Sequence, residues 1–131
     1  GSPAMTLLPA DVSLEGGIKF GTLNHAIDRD TLSNARAAQI TVGIRPEDVV
    51  VSQSGEGLPV TVDVVEELGA DGYLYGHADV NGQRADIVAR VDGRAHPSIG
   101  DTIVITPKQG HVHAFDTESG DRLDDKAVVS A

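Results

Sequence analysis

Residues 60–91 read VTVDVVEELGADGYLYGHADVNGQRADIVARV, from Val60 to Val91. Val60, Val62 and Val64 alternate with Thr61, Asp63 and Val65, and a period of two marks a half-buried strand. Gly69 to Gly72 supplies a turn, and Tyr73 to Val80 resumes the strand pattern. Asn81-Gly82 is a strong hairpin signal, because both central positions of a type I′ turn need positive φ. Ala85 to Val91 then pairs back across it. The stretch predicts an antiparallel meander.

The flanks extend the same reading. Thr6 to Leu14 predicts a strand interrupted at Pro9, and Glu15-Gly16-Gly17 turns into a second strand from Ile18 to Leu23. Asp28 to Gln39 reads either as a frail helix capped by Asp28 or Asp30, or as a polar loop. Ile40 to Arg45 is strand-like and stops at Pro46, which cannot donate to a central ladder. Val49 to Ser52, Thr102 to Thr106 and Val112 to Phe115 complete the set. Eight or more short strands with regular turns predict an all-β barrel or sandwich. The Ser54 to Gly57 turn is the one plausible internal boundary. It divides the chain into a first β unit with linker (1–57), a second unit (58–123) and a tail (124–131).

Composition narrows function more than fold. The 131 residues carry ten Lys plus Arg against twenty Asp plus Glu, a formal charge of −10. That balance opposes nucleic-acid binding, which neutralises phosphates with Lys and Arg, and opposes docking on anionic lipid. Only Phe20, Tyr73, Tyr75 and Phe115 are aromatic, so aliphatic side chains must build the core. There is no Cys, which excludes disulfides, thiol nucleophiles and Cys-ligated zinc. No window approaches the ~18 consecutive apolar residues of a spanning helix, and we expect a soluble chain. Because it opens on Gly1 rather than Met, we also expect it to have been processed, tagged or cut from something longer, with a protease scar as the plainer reading of Gly1-Ser2.

Motifs for catalysis are missing. The sequence has no phosphate-cradling G-x-x-x-x-G-K-[ST] and no G-x-S-x-G elbow, and Gly55-Glu56-Gly57 lacks a third Gly and the helix it should open. Glu66-Glu67 and Glu47-Asp48 are adjacent carboxylates whose neighbours point to opposite strand faces, so neither pair makes a two-carboxylate site. His111 and His113 could share a strand face and offer two ligands to zinc, with His77 or Asp116 as a third; packing of one ring and solvation of the other is the plainer reading. Arg45 reads as a buried ion-pair partner for Glu47 or another acid, with anion binding as the alternative.

The literal sequence goes further. Val42-Gly43-Ile44-Arg45-Pro46-Glu47-Asp48 resembles the G-I-R-P-E segment of the C-terminal regulatory (TOBE/OB-type) domain in MalK-like ATP-binding subunits of carbohydrate ABC importers. Val64-Val65-Glu66-Glu67-Leu68-Gly69 is similar to that family's V-x-x-V-E-x-L-G, and Gly72-Tyr73-Leu74-Tyr75 continues it. Gly93-Arg94 with Gly100-Asp101 resembles its strand-turn-strand segment, and His113-Ala114-Phe115-Asp116 with Gly120 and Arg122-Leu123 resembles its closing H-x-F-D…G-x-R-L. Gly1-Ser2-Pro3-Ala4-Met5 is similar to the junction where the chain leaves the ATPase domain, although Thr6 replaces the usual Asn.

The resemblance implies an all-β fold of two partly interleaved OB-type small barrels with at most one short helix. It implies a regulatory, dimer-stabilising module that is not catalytic, with ATP and magnesium bound only in an ATPase domain beyond this chain. Implied partners are that ATPase domain, a second copy of the subunit, the transmembrane permeases through the ATPase domain, and a regulatory protein. The implied location is cytoplasmic, peripheral to the inner membrane, in an importer of sugars, polyols or glycerophosphodiesters. Candidate motif and interface residues are Gly43, Arg45, Pro46, Glu47, Glu66, Gly69, Gly72, Tyr73, Tyr75, His113, Phe115 and Asp116. The alternative is a small barrel that senses an oxyanion or metabolite, which would engage Arg45, Arg90 and Arg94.

Overall fold

A computed structural model describes residues 4–13, 17–20, 23–27, 39–80 and 82–123. The alternative readings of Asp28 to Gln39, apart from Gln39 itself, and the tail from residue 124 lie outside them. In chain order the elements are β1 (Thr6–Ser13), β2 (Gly17–Phe20), β3 (Leu23–His25), β4 (Gln39–Ile44), a 3-10 turn η1 (Pro46–Asp48), β5 (Val49–Ser52), β6 (Leu58–Leu68), β7 (Asp71–Val80), β8 (Gln83–Asp92), β9 (Thr102–Pro107) and β10 (Val112–Phe115). They form two five-stranded sheets, ordered β10-β4-β1-β2-β3 and β5-β9-β6-β7-β8, with every pairing antiparallel. The second sheet curls so that its end strands β5 and β8 approach each other. The all-β, interleaved architecture is as the sequence led us to expect.

The interleaving is specific. The chain leaves the first sheet after β4, crosses at η1 and supplies all five strands of the second, then returns as β10 to pair with β4 through Val112↔Ile44 to Phe115↔Thr41. Both crossings meet at Asp48. Its N–H donates to the Arg45 carbonyl at 2.9 Å, closing η1, and its carbonyl accepts from the Lys108 N–H at 2.8 Å, just after β9. The buried Asp48 carboxylate lies 3.4 Å from His111 Nδ1, just before β10. Pro46, buried at the first position of η1, suits a turn that needs no N–H there.

Aliphatic side chains from both sheets share one core. Leu8, Val42 and Ala114 of the first sheet and Leu74, Ile87 and Ile103 of the second are all at most 2% exposed. The Thr6 hydroxyl ties the sheets directly by accepting the Val88 N–H at 2.9 Å.

Two details differ from the sequence reading. Pro9 does not interrupt β1, because it pairs only with Thr41 of β4, and β2 begins to pair two residues beyond it at Asp11. One flank of the strand is open where the ring sits, so no ladder donor is missed. The second difference concerns β6. Val60 and Val62 are each 1% exposed, whereas Val64 is 51% exposed. A bulge between Val62 and Val64 inserts Asp63 as an extra residue, reversing which side chains face inward beyond it. Val65 packs against the core in place of Val64.

Asp placed at residue 62 buries an unpaired charge, whereas at residue 64 it meets water. Val62→Asp is therefore expected to abolish cooperative folding, and Val64→Asp to change stability by less than about 0.5 kcal/mol. Urea unfolding of the two variants checks this.

Candidate functional site

The closing segment forms a compact knot on β10. Residue 115 bridges residue 122 across a turn, the Arg122 guanidinium lies 5.8 Å from the Phe115 ring centre, and Arg122 Nη2 donates to His113 Nδ1 at 2.7 Å. Asp116 builds the turn: its carboxylate accepts the Glu118 N–H at 2.9 Å, and its backbone bonds to Asp121 and Gly120. Leu123 drops fully into the core. His113 accepts a proton donor, and His111 turns to Asp48, so the two rings serve different partners. His77 Nδ1 donates to Asp63, at 2.8 Å, in the other sheet. Among the described residues, no three His, Asp or Glu side chains are placed to hold a metal.

Gly43 sits across from this knot, paired with Leu7 on one side and His113 on the other. A Cβ there would collide with the Met5 sulfur and reach the Phe115 ring at 3.0 Å. Glycine thus lets two large side chains close over the middle of β4. Gly72 is held for a harder reason: its Cβ would lie 2.7 Å from the Glu66 carbonyl, which cannot move without breaking the β6–β7 register. Gly69 has φ of +88° in the two-residue connection before Asp71, a conformation that side chains rarely adopt.

The remaining candidates separate. Arg45 and Glu47 are both exposed around the buried Pro46, so the expected burial of Arg45 in an ion pair is not what the fold gives: the 3-10 turn projects it to solvent. Glu66 is exposed, opposite the half-buried Tyr73, and Tyr75 lies half-buried between Val64 and Val88. The arginines of the oxyanion alternative do not converge. A cavity of about 530 Å³ beside the end of β8 is lined by Arg90 but by neither Arg45 nor Arg94, and Arg90 is already paired with Asp71.

That cavity contains a contact the sequence did not single out. His96 Nδ1 bonds to the Pro97 carbonyl and His96 Nε2 to Glu67, each at 2.8 Å. Both ring nitrogens can donate only as imidazolium, and the Pro97 carbonyl and then Glu67 raise its pKa above the ordinary 6.5. The ring fastens the 93–101 loop to the end of β6. His25 is opposite in character: buried, with Nε2 unpartnered, its pKa is lowered by desolvation.

The architecture and the knot together define an all-β OB-type module, and comparisons with known proteins agree. The MalK OB fold domain matches residues 1–49 and the TOBE domain matches residues 42–115; the chain belongs to the TOBE domain family. The overlap, 42–49, is the end of β4 and η1, where the chain changes sheets. The chain is 41% identical to the diacetylchitobiose uptake system ATP-binding protein MsiK of Streptomyces coelicolor, over 95% of its own length and 38% of the relative's. It is 37% identical to the sn-glycerol-3-phosphate import ATP-binding protein UgpC 2 of Agrobacterium fabrum, over 98% and 34%. It thus spans little more than a third of these relatives, and its matched families leave no room for an ATPase domain within it. Among solved structures, the cytoplasmic molybdate-binding protein ModG shares the fold, with a TM-score of 0.58 at 14% identity, covering 82% of this chain and 93% of that one.

Two outcomes follow from the geometry. Gly43→Val should cost about 1–3 kcal/mol, and Met5→Ala should recover part of it, because the clash is shared; thermal melting of the single and double variants measures the coupling. His96, with its folded pKa raised, stabilises fully below pH 6.5 and loses that contribution as pH rises through the folded value. The urea midpoint of His96→Gln should fall below that of the parent chain at pH 6, the gap narrowing by pH 9.

Proposed function

We propose that this chain is the regulatory and dimer-stabilising module of an ABC importer's ATP-binding subunit. The observation that carries the reading is the pair of adjoining matches, OB and TOBE, in a chain whose relatives at 37–41% identity are ATP-binding proteins of uptake systems. The module holds two subunits near each other while their nucleotide faces open and close, so that reassociation occurs at a high effective concentration. It receives regulatory proteins on its outward sheet faces. ATP and magnesium bind in the ATPase domain, outside this chain, and the permeases are reached through that domain. The subunit works on the cytoplasmic side of the inner membrane; among the described residues, no helix is long and apolar enough to cross it. A sugar, polyol or glycerophosphodiester is the solute class of this reading, and the relatives' names, an uptake protein for diacetylchitobiose and import proteins for sn-glycerol-3-phosphate, support a sugar or a related phosphorylated solute.

Gly43, Gly72 and the His113 to Asp116 segment contribute by fixing shape, and Tyr73, Tyr75 and Glu66 by standing on the outward face. Removing the module from the full-length subunit is expected to weaken self-association at least tenfold, as read by analytical ultracentrifugation. Unchanged self-association would overturn the pairing role. The isolated 131-residue chain should release no phosphate from ATP with magnesium.

A further inference from the structure

The outward face of the second sheet carries an apolar stripe that lies apart from the closing knot. Val64, Tyr75 and Val88 stand side by side across β6, β7 and β8. Val64 is 51% exposed, and the bulge at Asp63 is what puts it there. The stripe runs on into a groove of about 530 Å³ between β1 and β8, where Tyr75 and Val88 meet Met5, Leu7 and Pro9. Leu7 is 58% exposed.

Acidic groups frame the stripe. Asp63 and Asp86 lie along one side, and Glu66, Asp71 and Asp92 along the other. Two arginines and His77 stand among them, and all are engaged: Arg84 with Asp63 and Asp86, Arg90 with Asp71, His77 with Asp63. Five carboxylates against two guanidiniums and one imidazole leave the frame negative, on a chain whose formal charge is −10. A second copy docked face to face would set the same acidic frame against itself. Anionic lipid and nucleic acid are repelled for the same reason.

We propose that this stripe and groove form a docking site for a basic amphipathic helix of a partner protein. Three strands at ~4.8 Å spacing place Val64 and Val88 on the order of 10 Å apart, the separation of residues i and i+7 on one helix face. Apolar residues at i, i+3 or i+4, and i+7 would cover the stripe, while Lys and Arg beside them meet the acidic frame. The proposal deepens the regulatory reading and rests on it. Its assay uses the 131-residue chain alone, so failure of subunit pairing and failure of docking are read separately.

The probe is a synthetic 14-residue Leu/Lys helix. Controls are a version with the same composition but scrambled to disperse its leucines, and a Leu/Glu version. Fluorescence anisotropy should show the Leu/Lys helix binding at least tenfold more tightly than either control, and more weakly as salt rises. Val64→Ser and Leu7→Ser, which leave the charge unchanged, should each weaken binding at least fivefold. Amide shifts in the unsubstituted chain should map to Val64, Tyr75 and Val88, which keeps the test independent of how the variants fold. Three results would overturn the proposal: equal binding of the scrambled peptide, shifts that fall elsewhere, or self-association of the chain that perturbs these same amides.

Discussion

Asp48 is the point on which the two sheets depend. An interleaved chain must cross between sheets twice, and each crossing exposes backbone groups that need partners. Here one residue serves both. Its N–H closes the turn that carries the chain out of β4, its carbonyl holds the residue that follows β9, and its carboxylate faces the histidine that opens β10. Fixing those two crossings at one place sets β10 against β4 in register, and β10 in turn brings Ala114 and Leu123 into the core. The two sheets are therefore joined through one shared core and one pair of crossings rather than following each other as separate barrels.

Much of this was readable from the sequence. The alternation around Val60, the turn at Gly69 and the Asn81-Gly82 signal are local, and local steric preference alone announces a meander. Pairing between Phe115 and Thr41 is different. The residues lie far apart along the chain, and no periodicity in either segment specifies the other. The resemblance to MalK-like subunits supplied the partial interleaving but not this pairing. The bulge at Asp63 escaped both. A single inserted residue leaves the valines alternating on paper while reversing which of them meets water, and an acid in that position looks like any outward-facing residue.

The candidate residues divided along similar lines. Gly43, Gly72, Phe115 and Asp116 drew notice through their motifs, and the structure gives each a steric or hydrogen-bonding task inside the scaffold. Arg45 read as an ion-pair partner because acids adjoin it, and the 3-10 turn that begins at Pro46 and leaves it exposed cannot be foreseen from that pattern. Leu7, Val88 and His96 drew none, and Met5 and Val64 drew notice only as parts of a motif or a strand pattern. Their roles come from which strands lie beside them, and an isolated valine or histidine carries no trace of its neighbours.

The hydroxyl of Thr6 reaches beyond the bond it makes. β8 is the last strand of its sheet, and a last strand offers unpaired amides to any extended peptide that comes near. At the middle of β8 the Val88 amide is already occupied by Thr6, from the neighbouring sheet. A stray strand aligned there would find its central hydrogen bond taken and a piece of β1 in its path. The molecule thus protects itself against runaway strand addition without proline or lysine at that position. A side chain in the first residue of the first strand guards the border of a sheet to which it does not belong.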